Sequence, residues 1–538
     1  MAIKLADTAR PNNYVDAEHL GTFPVAYAED VWFEDGTRLS DKTFDGQSIQ
    51  KDELPLASAD ELGKIYQYTG EDGTYKKGCF YECIETPDSD PTEYEWVTVP
   101  SDAYYPIEWD VELTQTEYDE LGSEKETDNK NYYITDGEVE ETVVYGWTVD
   151  PDESDSADCI SYLNDAIGMT PASMGRTSFS YGSWEDAFFM PRPCMLKSDC
   201  TVDYYLDPND YSKKEDGTPS DIANPDYDGN AMMEWSKIWF KFENGFATGQ
   251  GSFYCSNKQV DETYDCPCNK DADGNIVPHF YTAIYNGTGI SKLRSLSGIQ
   301  LTSANGNGGT TGLQEVNRAV ANNTTAKYEW LTDVFCDRVL INALHILISK
   351  SLDSQKAFGR GLDGENDTAG AQALKESYVT GTLDNKGLFY GDIEHGFSPV
   401  KTFGMENWWG CAWRRMAGLL GIQGRYIYKM TQPYVQTGHN YVDSGISIPY
   451  SGDISKCSFG SFGFLPIETS GSVTTYYADT LHNNQDTTRT YYAVAGDCTA
   501  SGTNCGISAL GLYTYWDTPH WSASTTLSCK PLASRFNG

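Results

Sequence analysis

Apolar residues run through this chain in short alternating bursts separated by polar turns, and only rarely at helical spacing. Residues 65–68 (Ile-Tyr-Gln-Tyr), 78–83 and 94–99 alternate with the period of a strand and are bounded by Gly, Asp and Pro, which predicts a compact β-module over 56–100. A Thr-capped acidic turn predicts a short helix over 113–121, and residues 130–135 read as a strand entering an Asp136-Gly137 turn; together they mark a second small unit, 101–145. Residues 1–55 carry only fragments such as Phe23-Pro24-Val25-Ala26 and Val31-Trp32-Phe33. Such fragments cannot close a core alone, so this stretch is expected to attach to other copies or to a larger body.

From 146 to 538 one large domain is expected. Residues 159–169 place apolar groups at helical spacing with Gly168 as a stop, predicting a helix. In 238–242, Ile238, Phe240 and Phe242 alternate against Trp239 and Lys241; large groups on both faces predict an interior strand. Residues 329–351 are the one convincing long helix, with Trp330, Val334, Leu340, Leu344 and Leu347 near one face and His345 expected as a satisfied, partly buried side chain. Residues 403–419 hold Trp408, Trp409 and Trp413 among glycines at 404, 410 and 418. So many large apolar groups cannot share water, and the glycines let backbone pass close to backbone, so this segment is expected to be the buried keel of the domain. Glu406 and Asn407 within it are expected to bond backbone in a buried loop. The fold class is mostly β with some α (α+β), small N-terminal β-modules preceding the large domain.

Charge narrows the function. Seventy-nine acidic residues against 38 basic give a formal net charge of −41 over 538 residues, spread along the chain. Such a surface repels nucleic acid and anionic lipid, so neither is expected as a partner. No apolar leader follows Met1 and no run approaches eighteen apolar residues, so synthesis in a cytoplasm without a signal peptide is expected. Most of the fourteen cysteines are then small buried hydrophobes, with Cys194/Cys200, Cys266/Cys268 and Cys498/Cys505 as pairs able to oxidise after release.

Candidate chemistry is sparse. The seven histidines, at 19, 279, 345, 395, 439, 482 and 520, lack metal spacing, and there is no nucleophile elbow, H-E-x-x-H or dinucleotide fingerprint. Residues 306–312 are Gly-rich but lack the ending of a phosphate loop, so a surface loop is expected. Residues 269–275 offer oxygen ligands at alternate positions with a Gly at the sixth, yet Phe280 stands where a calcium loop needs Glu, and a hairpin turn fits better. No metal and no cofactor is expected. The aromatic content of 13%, with 37 Tyr and 13 Trp, points to recognition more than catalysis. The densest run is 513–521, Tyr-Thr-Tyr-Trp-Asp-Thr-Pro-His-Trp, whose rigid amphipathic side chains suit a binding face; the competing reading is a hairpin with its aromatics folded inward.

Several of these stretches resemble one family. Gly404-Met-Glu-Asn-Trp-Trp-Gly-Cys-Ala-Trp413 resembles the G-x-E-N-x-W-G-N-x-W segment of the C-type-lectin-like, formylglycine-enzyme-like domains that end many tail and fibre proteins of gut bacteriophages, with Cys411 where Asn is usual. Residues 32–42 are similar to a segment that begins many phage fibre proteins, the 56–100 and 101–145 units to phage spacer modules, and 165–242 to the gut-phage tail family. Residues 506–530 are similar to the closing region of the same lectin-like domains, with Thr526 in place of the usual Arg and Pro519 interrupting the run.

The resemblance implies a virion fibre protein. Residues 1–55 would attach it to other virion proteins, two spacers would follow, and 146–538 would be a C-type-lectin-like receptor-binding domain, usually as a homotrimer. Carried over by position, Tyr513, Tyr515, Asp517, His520 and Trp521 become the ligand-binding candidates, and Glu406, Asn407, Trp408, Trp409 and Trp413 the structural core. The implied activity is non-covalent adhesion to a host bacterial surface glycan or protein. Alternatives are a head-fibre or capsid-decoration protein, a tail polysaccharide depolymerase, and a formylglycine-generating-type oxidase. The last would need an R-G-G-S-W-like strand, in whose place Val494-Ala495-Gly496-Asp497-Cys498 stands, and a reactive cysteine pair, for which the region holds Cys498 and Cys505.

Overall fold

The computed structural model describes 141–536, except 177, 288–290, 302–309, 326, 363–372 and 374–376, together with strand segments and parts of 50–98 in the N-terminal region. The chain is mostly β with few helices, and it divides into two compact units, Met1–Glu140 and Glu141–Gly538. The second unit thus begins before residue 146, because Val144–Val149 is one of its inner strands.

In the first unit, backbone pairing joins Ile3–Leu5 to Tyr14–Val15 and Val31–Phe33, and Val111–Leu113 to Tyr132–Ile134. Of the helix expected over 113–121, Leu113 ends that strand and 114–121 lie outside the described residues, as does most of 1–55. Gln50–Lys51, Ile65–Tyr68, Phe80–Glu85 and Tyr94–Thr98 form a four-stranded sheet. Its aromatics point inward: Tyr66, Tyr68 and Tyr81 are buried, and Trp96 donates its indole N–H to the Pro55 carbonyl at 2.7 Å. Those rings are the module's core.

The second unit is built on three larger sheets and one long helix, with shorter helices and two-stranded pairs beside them. Four antiparallel strands run in the order Ile160–Asn164, Val144–Val149, Ser252–Ser256, Trp239–Glu243. Seven antiparallel strands run in the order Asp210–Lys214, Val202–Asp207, Arg192–Lys197, Gly229–Trp235, Phe280–Ala283, Leu527–Cys529, Trp330–Thr332. The third sheet is ordered Val442–Ser447, Arg425–Tyr428, Trp413–Ile422, Thr490–Ala495, Leu510–Thr514, Thr480–Asn483, Gly452–Asp453, with Ala523–Ser524 pairing parallel to its long strand Trp413–Ile422.

Three expectations need correction. Residues 159–169 are a strand, Ile160–Asn164, followed by turns: Tyr162 sits opposite Trp147 in the ladder, and cross-strand pairing outweighs a spacing that a helix would also satisfy. Trp239–Glu243 is a sheet edge rather than an interior strand. Its faces are covered, with Phe240 and Phe242 against Phe253 and Lys241 over the Tyr254 and Tyr264 rings, and Phe240 exchanges two backbone hydrogen bonds with Asp265 along the open side. The long helix spans Phe335–Ser349 instead of 329–351, because Trp330–Thr332 is drawn into the seven-stranded sheet by Leu527–Cys529. It stops at Lys350, which takes a left-handed conformation (φ 51°).

All fifteen residues of that helix are buried. A helix buried on every side must find partners for its polar side chains and lend groups to each wall around it. Trp147 and Tyr162 of the first sheet donate to the carbonyls of Ala343 and Leu347 (3.0 and 2.8 Å). Asp337 pairs with the buried Lys530 ammonium and accepts from Ser528 at 2.7 Å. Asn342 accepts from the Trp408 indole at 2.8 Å and donates to the Ile507 carbonyl at 2.6 Å. His345 departs from expectation: it is fully buried, packed against the Phe358 and Trp409 rings, and neither ring nitrogen has a hydrogen-bond partner among the described residues.

Two glycines set how closely other segments approach. Gly463, in the turn joining Lys456–Gly460 to Gly463–Glu468, has φ +83° and leaves no room for a β-carbon, which would lie 2.3 Å from Val339 of the helix. Gly410 (φ +80°) faces Gly361, where an added β-carbon would lie 3.1 Å from the Gly361 Cα. Gly410→Ala is therefore expected to cost about 1–3 kcal/mol of unfolding free energy, measured by chemical denaturation.

A second expectation concerns pH. Burial holds the His345 imidazole far below its ordinary 6.5, at about 3, so it is neutral in the fold and protonates readily only when unfolded. The unfolded state then gains protons as pH falls through 6.5, and this contribution to stability is lost progressively down to about pH 3. Between pH 7 and pH 5 the wild type should lose about 2 kcal/mol more than His345→Leu; parallel losses in the two proteins would place water or a partner at that ring.

Candidate functional site

The keel is built as a buried loop gripped from two sides. Glu406 accepts from the Tyr378 hydroxyl (2.7 Å) and the Gly381 and Leu383 backbone N–H groups (3.0 and 2.8 Å). The carbonyls of Glu406 and Asn407 accept from Arg414 (2.7 and 2.8 Å), and that of Trp408 from Arg338 (2.9 Å). Both guanidiniums lie over the Trp408 ring, that of Arg338 4.2 Å and that of Arg414 4.8 Å from its centroid. Trp409 donates to the Gly359 carbonyl at 3.0 Å. Asn407 differs from expectation: its backbone turns through φ 51° and its N–H donates to Val400, but its side-chain amide has no partner among the described residues.

Trp413, at the head of the long strand Trp413–Ile422, carries the keel onto one face of the third sheet. Leu420, Tyr492, Val494, Ala509 and Ala523 make that face's buried floor, and Tyr513, Trp516 and Tyr441 pack at its margin. Trp413 meets His482 and Tyr513 edge to face, with centroids 5.6 and 6.0 Å away. Burial, and behind it the Asp497 carboxylate, pushes the Tyr513 hydroxyl well above its ordinary range, so it stays protonated. His482 reaches to within 3.5 Å of the buried Asp497.

The structure divides the five candidates of the 513–521 run. Tyr513 and Tyr515 share strand parity, yet they lie on opposite faces. Tyr492 pairs with Thr514 while Val494 pairs with Gly511, so Ala493 on one strand opposes both Leu512 and Tyr513 on the other; the bulge reverses the alternation after Tyr513. Tyr515 consequently stacks on Tyr491 at 5.1 Å beneath Arg489, and Trp516 takes the Tyr513 side, 4.7 Å from Tyr492. Asp517 is exposed in the following turn. His520 bonds Ser522 at 2.6 Å and stacks on half-buried Trp521 at 6.0 Å.

Trp516, Tyr441 and His482 were not singled out by sequence. Trp516 stood inside the aromatic run and was recoverable from it; Tyr441 and His482 lie 75 and 34 residues before Trp516 and reach its sheet only through tertiary pairing.

Other candidate groups serve structure. Asp271 accepts from the backbone N–H groups of Asp273, Asn275 and Ala533 at 2.9 Å each, and Lys270 bridges Ile276, so 269–275 is a hairpin turn. Of the Gly-rich loop, 306–309 lie outside the described residues; Thr311 caps the helix Gly312–Val320 through a reciprocal bond with Gln314. The thirteen described cysteines are buried thiols, and the neighbour of Cys200 is Cys529, Sγ to Sγ 3.4 Å, rather than Cys194. Burial pushes the Cys498 thiol up to about 12, opposite to what a reactive cysteine requires.

Below the aromatic face lies a buried ion pair. Arg415 on the long strand binds Glu315 of the helix Gly312–Val320, both side chains 1% exposed, and donates Nε to the Tyr492 hydroxyl at 2.8 Å. Glu315→Gln leaves the guanidinium charge without its counter-ion and is expected to cost about 3–5 kcal/mol, read as a lowered denaturation midpoint. The chain matches no protein-family model and no curated protein.

Proposed function

We propose that this chain is a bacteriophage virion fibre protein whose second unit is a C-type-lectin-like receptor-binding domain, adhering without covalent chemistry to a glycan or protein on a bacterial surface. The family part rests on the sequence resemblance of 404–413 and of the stretches before and after it. The observation that carries adhesion is the margin of the third sheet, where Trp413, His482, Tyr513, Trp516 and Tyr441 cluster on one face beside the exposed turn holding Asp517. Rigid rings held by a packed floor bind with little loss of side-chain freedom.

Two observations support adhesion over catalysis. Glu406, the carboxylate of the keel motif, is buried and spends its oxygens on Tyr378 and two backbone groups. Cys498 and Cys505 are likewise buried, with the Cys498 thiol held protonated. The first unit would act as spacer and attachment, and as a homotrimer the fibre would present three copies of the face.

The test is co-sedimentation of the full-length protein with a panel of intact gut bacterial strains, beside a Tyr513→Ala/Trp521→Ala variant with unchanged circular dichroism. At least one strain should retain the wild type and release the variant by tenfold or more. Failure to bind any strain would favour a head-fibre or decoration role, and equal binding by both proteins would move adhesion off this face.

A further inference from the structure

The strand Leu527–Cys529 joins what the chain keeps far apart. It pairs with Phe280–Ala283 on one side and with Trp330–Thr332 on the other, while Ala523–Ser524 just before it pairs with the long strand Trp413–Ile422 of the third sheet. One short stretch therefore ties two sheets together and anchors the end of the aromatic run 513–521. Cys529 closes that strand, opposite Tyr281 on one neighbour and Trp330 on the other.

Against Cys529 lies Cys200, 329 positions away in sequence, with Sγ to Sγ at 3.4 Å. Cys200 stands in the tight turn between Arg192–Lys197 and Val202–Asp207. Its own N–H donates to the Lys197 carbonyl and the Lys197 N–H to the Thr201 carbonyl, each at 2.9 Å. The turn is fastened to the ladder partner of Cys529, since the Trp330 indole donates to the Ser198 carbonyl at 3.0 Å. The backbone of Cys200 is left-handed (φ 68°), a conformation that glycine takes freely and other residues take rarely. A turn position that suits glycine here carries a thiol, in contact with the thiol of Cys529. Cys194 belongs to the same apolar cluster, yet the sulfur that Cys200 meets is that of Cys529. Both backbones are already held, so side-chain movement alone is needed to bond the two sulfurs.

We propose that Cys200 and Cys529 are a cross-linking site, joined by a small-molecule disulfide when the protein passes from a reducing to an oxidising medium, and that the bond locks the strand Leu527–Cys529 in place. Cys200 is the entry thiol. It is 3% exposed, between half-buried Asp199 and exposed Thr201, whereas Cys529 is fully buried and burial pushes its thiol well above the ordinary range. Cys200 gives its proton to solvent and its Sγ attacks one sulfur of glutathione disulfide; that S–S bond breaks, and one glutathione leaves as a thiolate that takes up a proton. Cys529 Sγ then attacks Cys200 Sγ in the mixed disulfide and gives its proton to the second departing glutathione. Two protein thiols are oxidised by two electrons, and one glutathione disulfide is reduced to two thiols.

The bond would span 329 positions and hold the central helix, the keel and the third sheet within one covalent ring. Closing so long a loop in the unfolded chain is where a disulfide stabilises most. Cys268 and Cys336, whose sulfurs lie within 4.8 Å of each other, are both fully buried and serve as a comparison within the same molecule. The inference rests on the Cys200–Cys529 contact and stands apart from the adhesin reading.

The experiment takes full-length protein purified under reductant, transfers it folded to glutathione disulfide, alkylates the remaining thiols in denaturant and digests it without reduction for mass spectrometry. A peptide pair joining Cys200 to Cys529 should appear, with Cys268 and Cys336 alkylated. The pair should vanish in Cys200→Ala and in Cys529→Ala and persist in Cys194→Ala. Followed by circular dichroism, the oxidised wild type should melt about 5 °C above its reduced form, and oxidised and reduced Cys200→Ala should melt together. Absence of the 200–529 pair, Cys200 joined to Cys194 or held only as a glutathione adduct, or equal melting of the oxidised and reduced wild type would overturn the inference. The wild-type measurements need no substitution, so a variant that fails to fold leaves the test intact.

Discussion

The fold depends on one demand: a fifteen-residue helix, Phe335–Ser349, is buried along its whole length and carries polar groups into the interior. Each such group must be met there, since an unpaired buried donor or acceptor costs about 1–3 kcal/mol. Asp337, Arg338 and Asn342 are met by Lys530, by the Trp408 carbonyl and by Trp408 with Ile507, which lie far apart in sequence. The helix therefore fixes where the C-terminal strand, the keel and the 507 segment must lie. His345 is left without a hydrogen bond, and it persists by staying neutral between two aromatic rings.

The keel answers the same demand from the other side. A buried loop brings carbonyls into a dry interior, and here the guanidiniums of Arg338 and Arg414 supply donors to three successive residues while both lie over the Trp408 ring. Positive φ at Gly404, Asn407 and Gly410 folds the loop tightly enough for both arginines to reach it. Trp413, still buried, then heads the long strand of the third sheet, so the segment that locks the core also lays down the first ring beneath the aromatic face. Packing and the candidate site are thus ends of one stretch of chain.

Net charge and local charge pull in different directions. The chain carries −41 overall, yet its interior uses matched pairs, Glu315 with Arg415 and Asp337 with Lys530. A charge taken out of water needs a partner close by, and these two pairs supply one.

The sequence by itself determined the strand-rich class, the burial of the keel and of its Glu406, and the existence of a long central helix. These follow from local rules: alternation, turn residues, and apolar groups too dense to stay in water. Tertiary structure alone decided the rest. Residues 159–169 became a strand because a partner, Val144–Val149, was waiting, and Trp330 left the helix because Leu527–Cys529 paired with it. A single bulge opposite Tyr492 sent Tyr513 and Tyr515 to opposite faces, and brought Trp516 to the side of Tyr441 and His482. Strand alternation read along one chain carries no information about an extra residue in the ladder, because the bulge exists only in the register between two strands, and that register is set by contacts between residues distant in sequence.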